Sequence, residues 1–232
     1  MDSTADWVQQ TFGYRFSDRS LLERALTHRS AAGRNNERLE FLGDAVLDCV
    51  VSDMLLSLRP ASEEGELSRL RSRLVRDRAL AGIAQDHGLG AHLKLGSGEM
   101  KSGGHRRDSI LADALEALVG AIFRDGGYAA ADRVVREIYG PRLDDLPEGD
   151  SLKDPKTRLQ EWLQARGLPL PEYELVSASG PAHRQVFEVR CRLPDPAREQ
   201  LATGASRREA EQAAARSLLA VLAESSPSLL RE

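Results

Sequence analysis

The sequence lacks several features that would assign it to a class at once. No stretch approaches the roughly 18 consecutive apolar residues of a membrane-spanning helix. Cysteine occurs only at Cys49 and Cys191, far apart and each in an apolar context, which excludes a disulfide scaffold or a zinc-type cluster. No basic leader precedes an apolar block near the N-terminus, so no secretory signal is expected. We therefore expect a cytoplasmic protein with reduced thiols and no membrane partner.

An excess of positive charge is also missing. The chain has 32 Lys and Arg against 36 Asp and Glu, a net charge of −4 in 232 residues. Because polyanions usually bind basic surfaces, this balance argues mildly against a nucleic-acid partner. Any prediction of RNA binding must therefore depend on where the cations lie. The length and a hydrophobic fraction of 41% suit one large domain or two modest ones.

The apolar periodicity divides the chain into two parts. Through residues 1–146, apolar residues recur every three or four positions, and Gly126 with Gly127 is expected to end the fourth long helix. Residues 147–153, within a polar stretch containing prolines, are predicted to be a linker. Residues 154–225 read as one helix, three strands and one helix, and 226–232 as a tail. The predicted fold class is an all-α domain followed by a small α+β domain.

Two apolar helices each carry acids that no local cation neutralises. In NERLEFLGDAVLD, Glu37, Glu40 and Asp44 fall within a narrow arc at about 100° per residue. In ILADALEALVG, Asp113 and Glu116 lie three residues apart on one face. None of the positions three or four residues from Glu40, Asp44, Asp113 or Glu116 carries a cation.

Such stripes cost free energy unless a positive group lies between them. A hard divalent cation prefers carboxylate oxygens and water, so Glu40, Asp44, Asp113 and Glu116 are predicted to bind Mg²⁺, with Mn²⁺ as a substitute. Histidine and cysteine are absent from the stripes, which disfavours zinc. The alternative is that arginines from other elements neutralise these acids. Glu64 precedes a helix, where the helix dipole alone favours an acid.

NERLEFLGDAVLD resembles the signature of the ribonuclease III family. The similarity extends to LTHRS at 26–30, EEGELSRLRSRLVR at 63–76, KSGGHRRDSILADALEALVGA at 101–121 and KDPKTRLQEWLQ at 153–164. It implies a homodimeric, magnesium-dependent endoribonuclease that cleaves double-stranded RNA. The implied products have 5′-phosphate and 3′-hydroxyl ends with short 3′ overhangs, and the implied roles are processing of ribosomal precursors and messenger RNA.

The resemblance also implies roles for single residues. The metal ligands implied are Glu40, Asp44, Asp113 and Glu116, of which Asp44 and Glu116 are the catalytic pair. Glu37 and Glu64 match acids near the catalytic valley that act on RNA or on the dimer. Phe41 matches an aromatic residue that packs across the dimer interface, and a place in the hydrophobic core is the alternative.

The order helix, three strands, helix resembles the double-stranded-RNA-binding domain, which reads A-form shape across two minor grooves and the phosphates between them. Thr157, Gln160 and Glu161 share one helix face and are the predicted contacts in one minor groove, an exposed polar face being the alternative. GPAHRQ at 180–185 is the loop predicted to enter the second minor groove, with His183 at its tip.

Ser206 is the predicted N-cap of the last helix, followed by Arg207 and Arg208. Cations beside free backbone amides predict a phosphate site. The segment departs from the family pattern where Ala202 replaces the first glycine of Gly-x-Gly and where Glu209 adds an acid. Both departures are expected to weaken the phosphate contact without abolishing it.

Two other functions are left open by the sequence. A non-cleaving double-stranded-RNA-binding protein of the same fold should lack one of the four carboxylates, and all four are present. A helical phosphohydrolase acting on nucleotides would leave the second domain without a purpose. The five histidines show no shared spacing and are expected to be superficial or structural.

Overall fold

The computed structural model describes residues 3–143, 146, 153–181, 184–194 and 197–225. The chain divides between Leu146 and Pro147 into two compact units. Lys153 is the one described residue of the predicted linker, and the predicted tail lies outside the described residues.

The regular secondary structure described in the first unit is helical, apart from one isolated parallel bridge between Thr27 and Lys94. The second unit contains a three-stranded sheet between two helices. This arrangement confirms the predicted fold class. No helix within the described ranges is long and apolar enough to cross a membrane.

Seven helices and two short 3₁₀ turns are described in the first unit. The helices are α1 Ser3–Phe12, α2 Arg19–Ala25, α3 Glu37–Leu58, α4 Glu64–Leu74, α5 Asp77–Asp86, α6 Ser97–Lys101 and α7 Asp108–Leu143, and the 3₁₀ turns are Leu89–His92 and Gly104–Arg106.

Helices α3 and α7 form the centre of the first unit. Val50, Val51 and Leu55 of α3 and Leu115 and Leu118 of α7 are each at most 1% exposed. Full burial of one such side chain contributes about 1.5 to 3 kcal/mol. The core therefore fixes these two helices against each other, and with them the acids that they carry.

The predicted end of the fourth long helix is instead a kink within α7. Gly127 has φ 75° and ψ −175°, which are not helical values, yet helix resumes and continues to Leu143. Glycine adopts a positive φ without the Cβ clash of other residues, so the chain changes direction here without a loop.

In the second unit, strands β1 Glu172–Ser179, β2 Val186–Leu193 and β3 Arg198–Gly204 form an antiparallel sheet in the order β1-β2-β3. On β2, Val189, Cys191 and Leu193 alternate inward with exposed or half-buried arginines between them. Helices α8 Pro155–Gln164 and α9 Arg207–Ser225 contribute Leu159, Leu163, Ala214 and Leu218 to the core that includes Cys191 and Leu193.

Candidate metal centre and RNA-binding surface

Two glycines let the backbones of α3 and α7 come into direct contact. A Cβ added at Gly43 would lie 1.8 Å from the carbonyl oxygen of Glu116, and one at Gly120 would lie 2.1 Å from that of Leu39. Backbone atoms cannot yield to such contacts, so the crossing requires glycine on both helices. Gly43 lies within the acidic stripe of α3, and Gly120 lies one turn after Glu116. The crossing therefore sets the two acidic stripes against each other.

Three of the predicted ligands converge at this crossing. Glu40, Asp113 and Glu116 are partly buried, and each offers a carboxylate oxygen within 4.8 Å of the other two. The ion pairs found among the described residues include none of these three acids. Arginines of other elements therefore form no ion pair with these three acids in the described part of the chain, although the charge of Arg29 lowers the pKa values of Glu40 and Asp113.

The pKa values of all three acids are raised, because they are partly buried and repel one another. Burial, followed by the charges of Asp44, Asp113 and Glu40, raises the pKa of Glu116 to about 8. Burial and then Asp113 raise the pKa of Glu40, and burial and then Asp77 raise that of Asp113. Acids with jointly raised pKa values in one place form a site that a cation would relieve.

The fourth predicted ligand, Asp44, stands beside this group. It lies one turn along α3 from Glu40, its side chain is exposed, and it falls outside the set of three converging carboxylates. Its charge nevertheless has the largest effect of any neighbouring charge on the pKa of Glu116 and raises it. The structure therefore brings three predicted ligands together and leaves the fourth nearby.

Three residues of this site have no place in the sequence-based prediction. Gly43 and Gly120 shape the crossing, and glycine inside an apolar helical pattern is the signal that could have found them. Asp77, the first residue of α5, raises the pKa values of Asp113 and Glu116. An acid at a helix N-terminus looks like ordinary capping, so sequence alone does not connect Asp77 to the cluster.

The auxiliary residues fall outside the set of three converging carboxylates, although the charge of Glu37 raises the pKa of Glu40. Glu37 accepts a hydrogen bond of 2.9 Å from the Asn35 amide and pairs with Arg29 at 3.7 Å. Glu64 begins α4 and lines a cavity of about 160 Å³ with Leu56 and other residues. Phe41 is 82% exposed, so its alternative place in the core of this chain is wrong.

The predicted RNA-binding face of α8 is exposed at Thr157, Gln160 and Glu161. Thr157 donates a hydrogen bond of 2.7 Å to the N-cap Asp154, and Glu161 pairs with Lys153. Exposure is compatible with both the functional interpretation and the polar-surface alternative. His183 lies outside the described residues.

The start of α9 is capped as predicted. The Ser206 hydroxyl accepts the Glu209 N–H at 3.2 Å, and the Glu209 carboxylate accepts the Ala205 N–H at 3.0 Å. Glu209, one of the two departures from the family pattern, is thus a capping residue. Arg208 is exposed, whereas Arg207 pairs with Glu211 through Nε and Oε1 at 3.0 Å.

The other departure, Ala202, pairs with Val189 in the sheet and is partly buried. The glycine requirement falls instead on Gly204, where a Cβ would lie 2.5 Å from the backbone nitrogen of Ala210. The tight contact between β3 and α9 therefore needs only the second glycine of the Gly-x-Gly pattern.

The first unit is helical and carries a carboxylate cluster. The second unit has the order α-β-β-β-α, and its last helix begins with a cap followed by arginines. This combination defines a nuclease with a separate domain for double-stranded RNA. The Ribonuclease-III-like family matches residues 18–143, and the double-stranded RNA binding motif matches residues 155–222. The chain belongs to the ribonuclease III family.

Relatives of similar length support this assignment. Ribonuclease 3 of Nitrosococcus oceani is 53% identical over 215 residues, which cover 91% of this chain and 92% of the relative. Ribonuclease 3 of Thiobacillus denitrificans is 56% identical, with coverages of 93% and 95%. A crystal structure of the nuclease domain of ribonuclease III from Campylobacter jejuni is 39% identical with a TM-score of 0.59, and it covers 63% of this chain and 100% of that domain.

Proposed function

We propose that this protein is an endoribonuclease that hydrolyses phosphodiester bonds in double-stranded RNA at the Glu40–Asp113–Glu116 cluster. The observation that carries the proposal is the convergence of these three carboxylates without an ion-pair partner among the described residues. The donors are all carboxylate oxygens, which suit a hard divalent cation. We propose Mg²⁺ as the ion, Mn²⁺ as its substitute and Asp44 as the fourth ligand.

The carboxylates would hold Mg²⁺ beside the scissile phosphate. When bound, Mg²⁺ would supply a water of lowered pKa and neutralise the charge that develops on the phosphate. Glu116, whose pKa is about 8 in the metal-free protein, retains its proton near neutral pH and must release it before the carboxylate can act as a ligand. Asp44 and Glu116 are the proposed catalytic pair, an assignment supported by membership of the family, and the charge of Asp44 raises the pKa of Glu116.

The second unit is proposed to hold the duplex while the first cleaves it. The exposed polar face of α8 supports a minor-groove contact, and the capped start of α9 with its arginines supports a phosphate contact. The proposed RNA-binding residues are Thr157, Gln160, Glu161, His183, Ser206, Arg207 and Arg208.

Family membership supports the finer proposals about products and roles. The proposed products have 5′-phosphate and 3′-hydroxyl ends and short 3′ overhangs. The proposed roles are the processing of ribosomal precursors and messenger RNA in the cytoplasm.

We further propose that the protein acts as a homodimer through the exposed face of α3. Phe41 and Leu56 on this helix are 82% and 58% exposed, and large exposed apolar side chains on one face favour a protein partner. A structure of the ribonuclease III nuclease domain from Campylobacter jejuni is 41% identical with a TM-score of 0.58, and its description names a region involved in dimer formation. Glu64 lines a cavity with Leu56 and therefore lies beside this face, where we propose that it acts as an auxiliary acid on RNA or on the dimer.

Glu116→Ala tests the division of labour between the two units. The variant should lose cleavage of duplex RNA in Mg²⁺ and keep the duplex affinity of the wild type in EDTA. Glu137→Ala, at an exposed position of the same helix, is the matched control and should cleave normally.

Three substrates separate the candidate functions in the same assay. Duplex RNA, single-stranded RNA and nucleotides are incubated with Mg²⁺ or with EDTA, and metal-dependent cleavage of the duplex alone is expected. Duplex binding without cleavage by the wild type would establish the non-cleaving alternative. Hydrolysis of nucleotides in place of RNA would establish the phosphohydrolase.

A further inference from the structure

His28 belongs to the LTHRS segment, which has no role in the proposed mechanism so far. Its side chain is buried, with a relative exposure of 8% for the residue. The His28 N–H donates to the carbonyl oxygen of Lys94 at 3.0 Å, and the carbonyl oxygen of Thr27 accepts the Asn36 N–H at 2.9 Å. These bonds fix the segment between residue 94 and the start of α3.

The hydrogen bonds to the imidazole ring determine which nitrogen carries the proton. Ring atom Nδ1 of His28 accepts the backbone N–H of Ser30 at 3.2 Å and lies 2.8 Å from the Ser30 hydroxyl. A backbone N–H can only donate, so Nδ1 is an acceptor and the ring proton is on Nε2. The Ser30 hydroxyl itself accepts the Gly96 N–H at 2.9 Å, which leaves its hydrogen for Nδ1.

The loop that contains Gly96 packs tightly against Ser30 and holds the Ser30 side chain in place. A Cβ at Gly96 would lie 2.2 Å from the carbonyl oxygen of Ser30. The two loops are therefore in backbone contact, and the Ser30 side chain is held where it meets the ring. A ring fixed in this way keeps Nε2–H in a constant position, which is a requirement for a preorganised donor.

The same segment adjoins the carboxylate cluster. The carbonyl oxygen of Asn36, whose N–H binds Thr27, accepts the N–H of Glu40 at 2.9 Å. Arg29, the next residue, pairs with Glu37 of the α3 stripe at 3.7 Å, which places the segment beside the acids of α3. Burial is the largest influence on the pKa of Asp113 and raises it, whereas the charges of His28 and Arg29 lower it. Among the hydrogen bonds found for the described residues, none involves Nε2 of His28.

We propose that His28 is a further catalytic residue, whose Nε2–H donates a hydrogen bond to a non-bridging oxygen of the scissile phosphate beside Asp113. This inference rests on the proposed hydrolysis of double-stranded RNA. Negative charge on the phosphate oxygens grows in the transition state, and a fixed donor there contributes about 10²- to 10³-fold to the rate in comparable sites. The competing explanation is that His28 only anchors Ser30.

Two substitutions distinguish a donor at Nε2 from an anchor at Nδ1. In His28→Asn, the side-chain oxygen can take the place of Nδ1 and keep the Ser30 bonds, but the Nε2 donor is lost. In His28→Gln, the longer amide can place an N–H near Nε2, but the acceptor for Ser30 is lost. The two roles therefore predict opposite orders of activity.

Single-turnover cleavage of duplex RNA by the full-length protein in Mg²⁺ is the measurement. We expect His28→Asn to slow the chemical step about 100-fold and His28→Gln about tenfold or less, with duplex affinity unchanged in both. An active His28→Asn beside an impaired His28→Gln would overturn the proposal in favour of an anchor. Failure of the wild type to cleave duplex RNA would instead overturn the proposed function.

The tautomer gives a readout that does not depend on activity. Nitrogen-15 NMR of labelled histidines in the wild type, assigned by comparison with His28→Asn, should show a protonated Nε2 and an unprotonated Nδ1 for His28. A ring with its proton on Nδ1 would contradict the Ser30 geometry and remove the proposed donor.

Discussion

Replacing Glu116 by glutamine should stabilise the metal-free protein at alkaline pH, although the change removes a proposed ligand. Burial, followed by the charges of Asp44 and Asp113, raises the pKa of Glu116 from 4.5 to about 8. The folded protein thus holds this proton more tightly than the unfolded chain does. The resulting contribution to stability is complete below pH 4.5 and is lost as the pH rises through about 8.

The pKa difference sets the size of this effect. One pKa unit corresponds to about 1.36 kcal/mol, so the change from 4.5 to about 8 has a ceiling of roughly 5 kcal/mol. Glu116 is only partly buried, and solvent screening reduces the expected penalty to about 2 kcal/mol. For a unit of this size, that corresponds to about 4 to 8 °C in melting temperature.

Calorimetry of the full chain in EDTA measures the difference. Glu116→Gln should match the wild type near pH 5 and melt about 4 to 8 °C higher near pH 8.5. Glu137→Gln is the control and should melt like the wild type at both pH values. Added Mg²⁺ near pH 8.5 should then stabilise the wild type more than Glu116→Gln. A glutamine variant no more stable than the wild type near pH 8.5 would refute the electrostatic argument.

Three further predictions concern the crossing, the dimer and the RNA contact. Gly43→Ala forces a Cβ against a backbone carbonyl and should destabilise the protein by about 3 kcal/mol and abolish Mg²⁺-dependent stabilisation in calorimetry, whereas Gly82→Ala, with open space around its Cβ, should not. Phe41→Ala should weaken self-association in sedimentation experiments, and an unchanged dimer would exclude the α3 face. Arg207→Ala should weaken duplex binding and reduce the salt slope by about one, and an unchanged slope would exclude a phosphate contact.

Local periodicity predicts the helices that carry the acids and the order of elements in the second unit, although it predicts a helix end where α7 only kinks at Gly127. Glu40 and Asp44, or Asp113 and Glu116, share a helix face because the helix repeat alone sets their angular separation. The acids also stand out in sequence because the neighbouring positions that could neutralise them hold no cation. The convergence of Glu40 with Asp113 and Glu116 therefore agrees with an inference from charge, which required no knowledge of the crossing.

Contacts between distant segments could not be predicted in the same way. Asp77 and His28 influence Asp113 from outside both acidic helices, and nothing in their own neighbourhoods indicates this. Sequence likewise left the place of Phe41 open, because an apolar residue on a helix can face the core or a partner. Its exposure of 82% is a property of the assembled unit. Pairwise tertiary contacts are the information that periodicity lacks.

The glycine crossing and the acidic cluster together show that this region is not arranged for stability alone. Glycine within a helix costs about 1 kcal/mol relative to alanine, and Gly43 and Gly120 both lie in helix interiors. The close approach that they permit increases the repulsion among Glu40, Asp113 and Glu116, which is a second cost. Helices that only had to pack could cross farther apart, with alanine at these positions and glutamine in the cluster, and neither cost would arise. A bound cation would offset both costs, because it needs carboxylates held at this short separation.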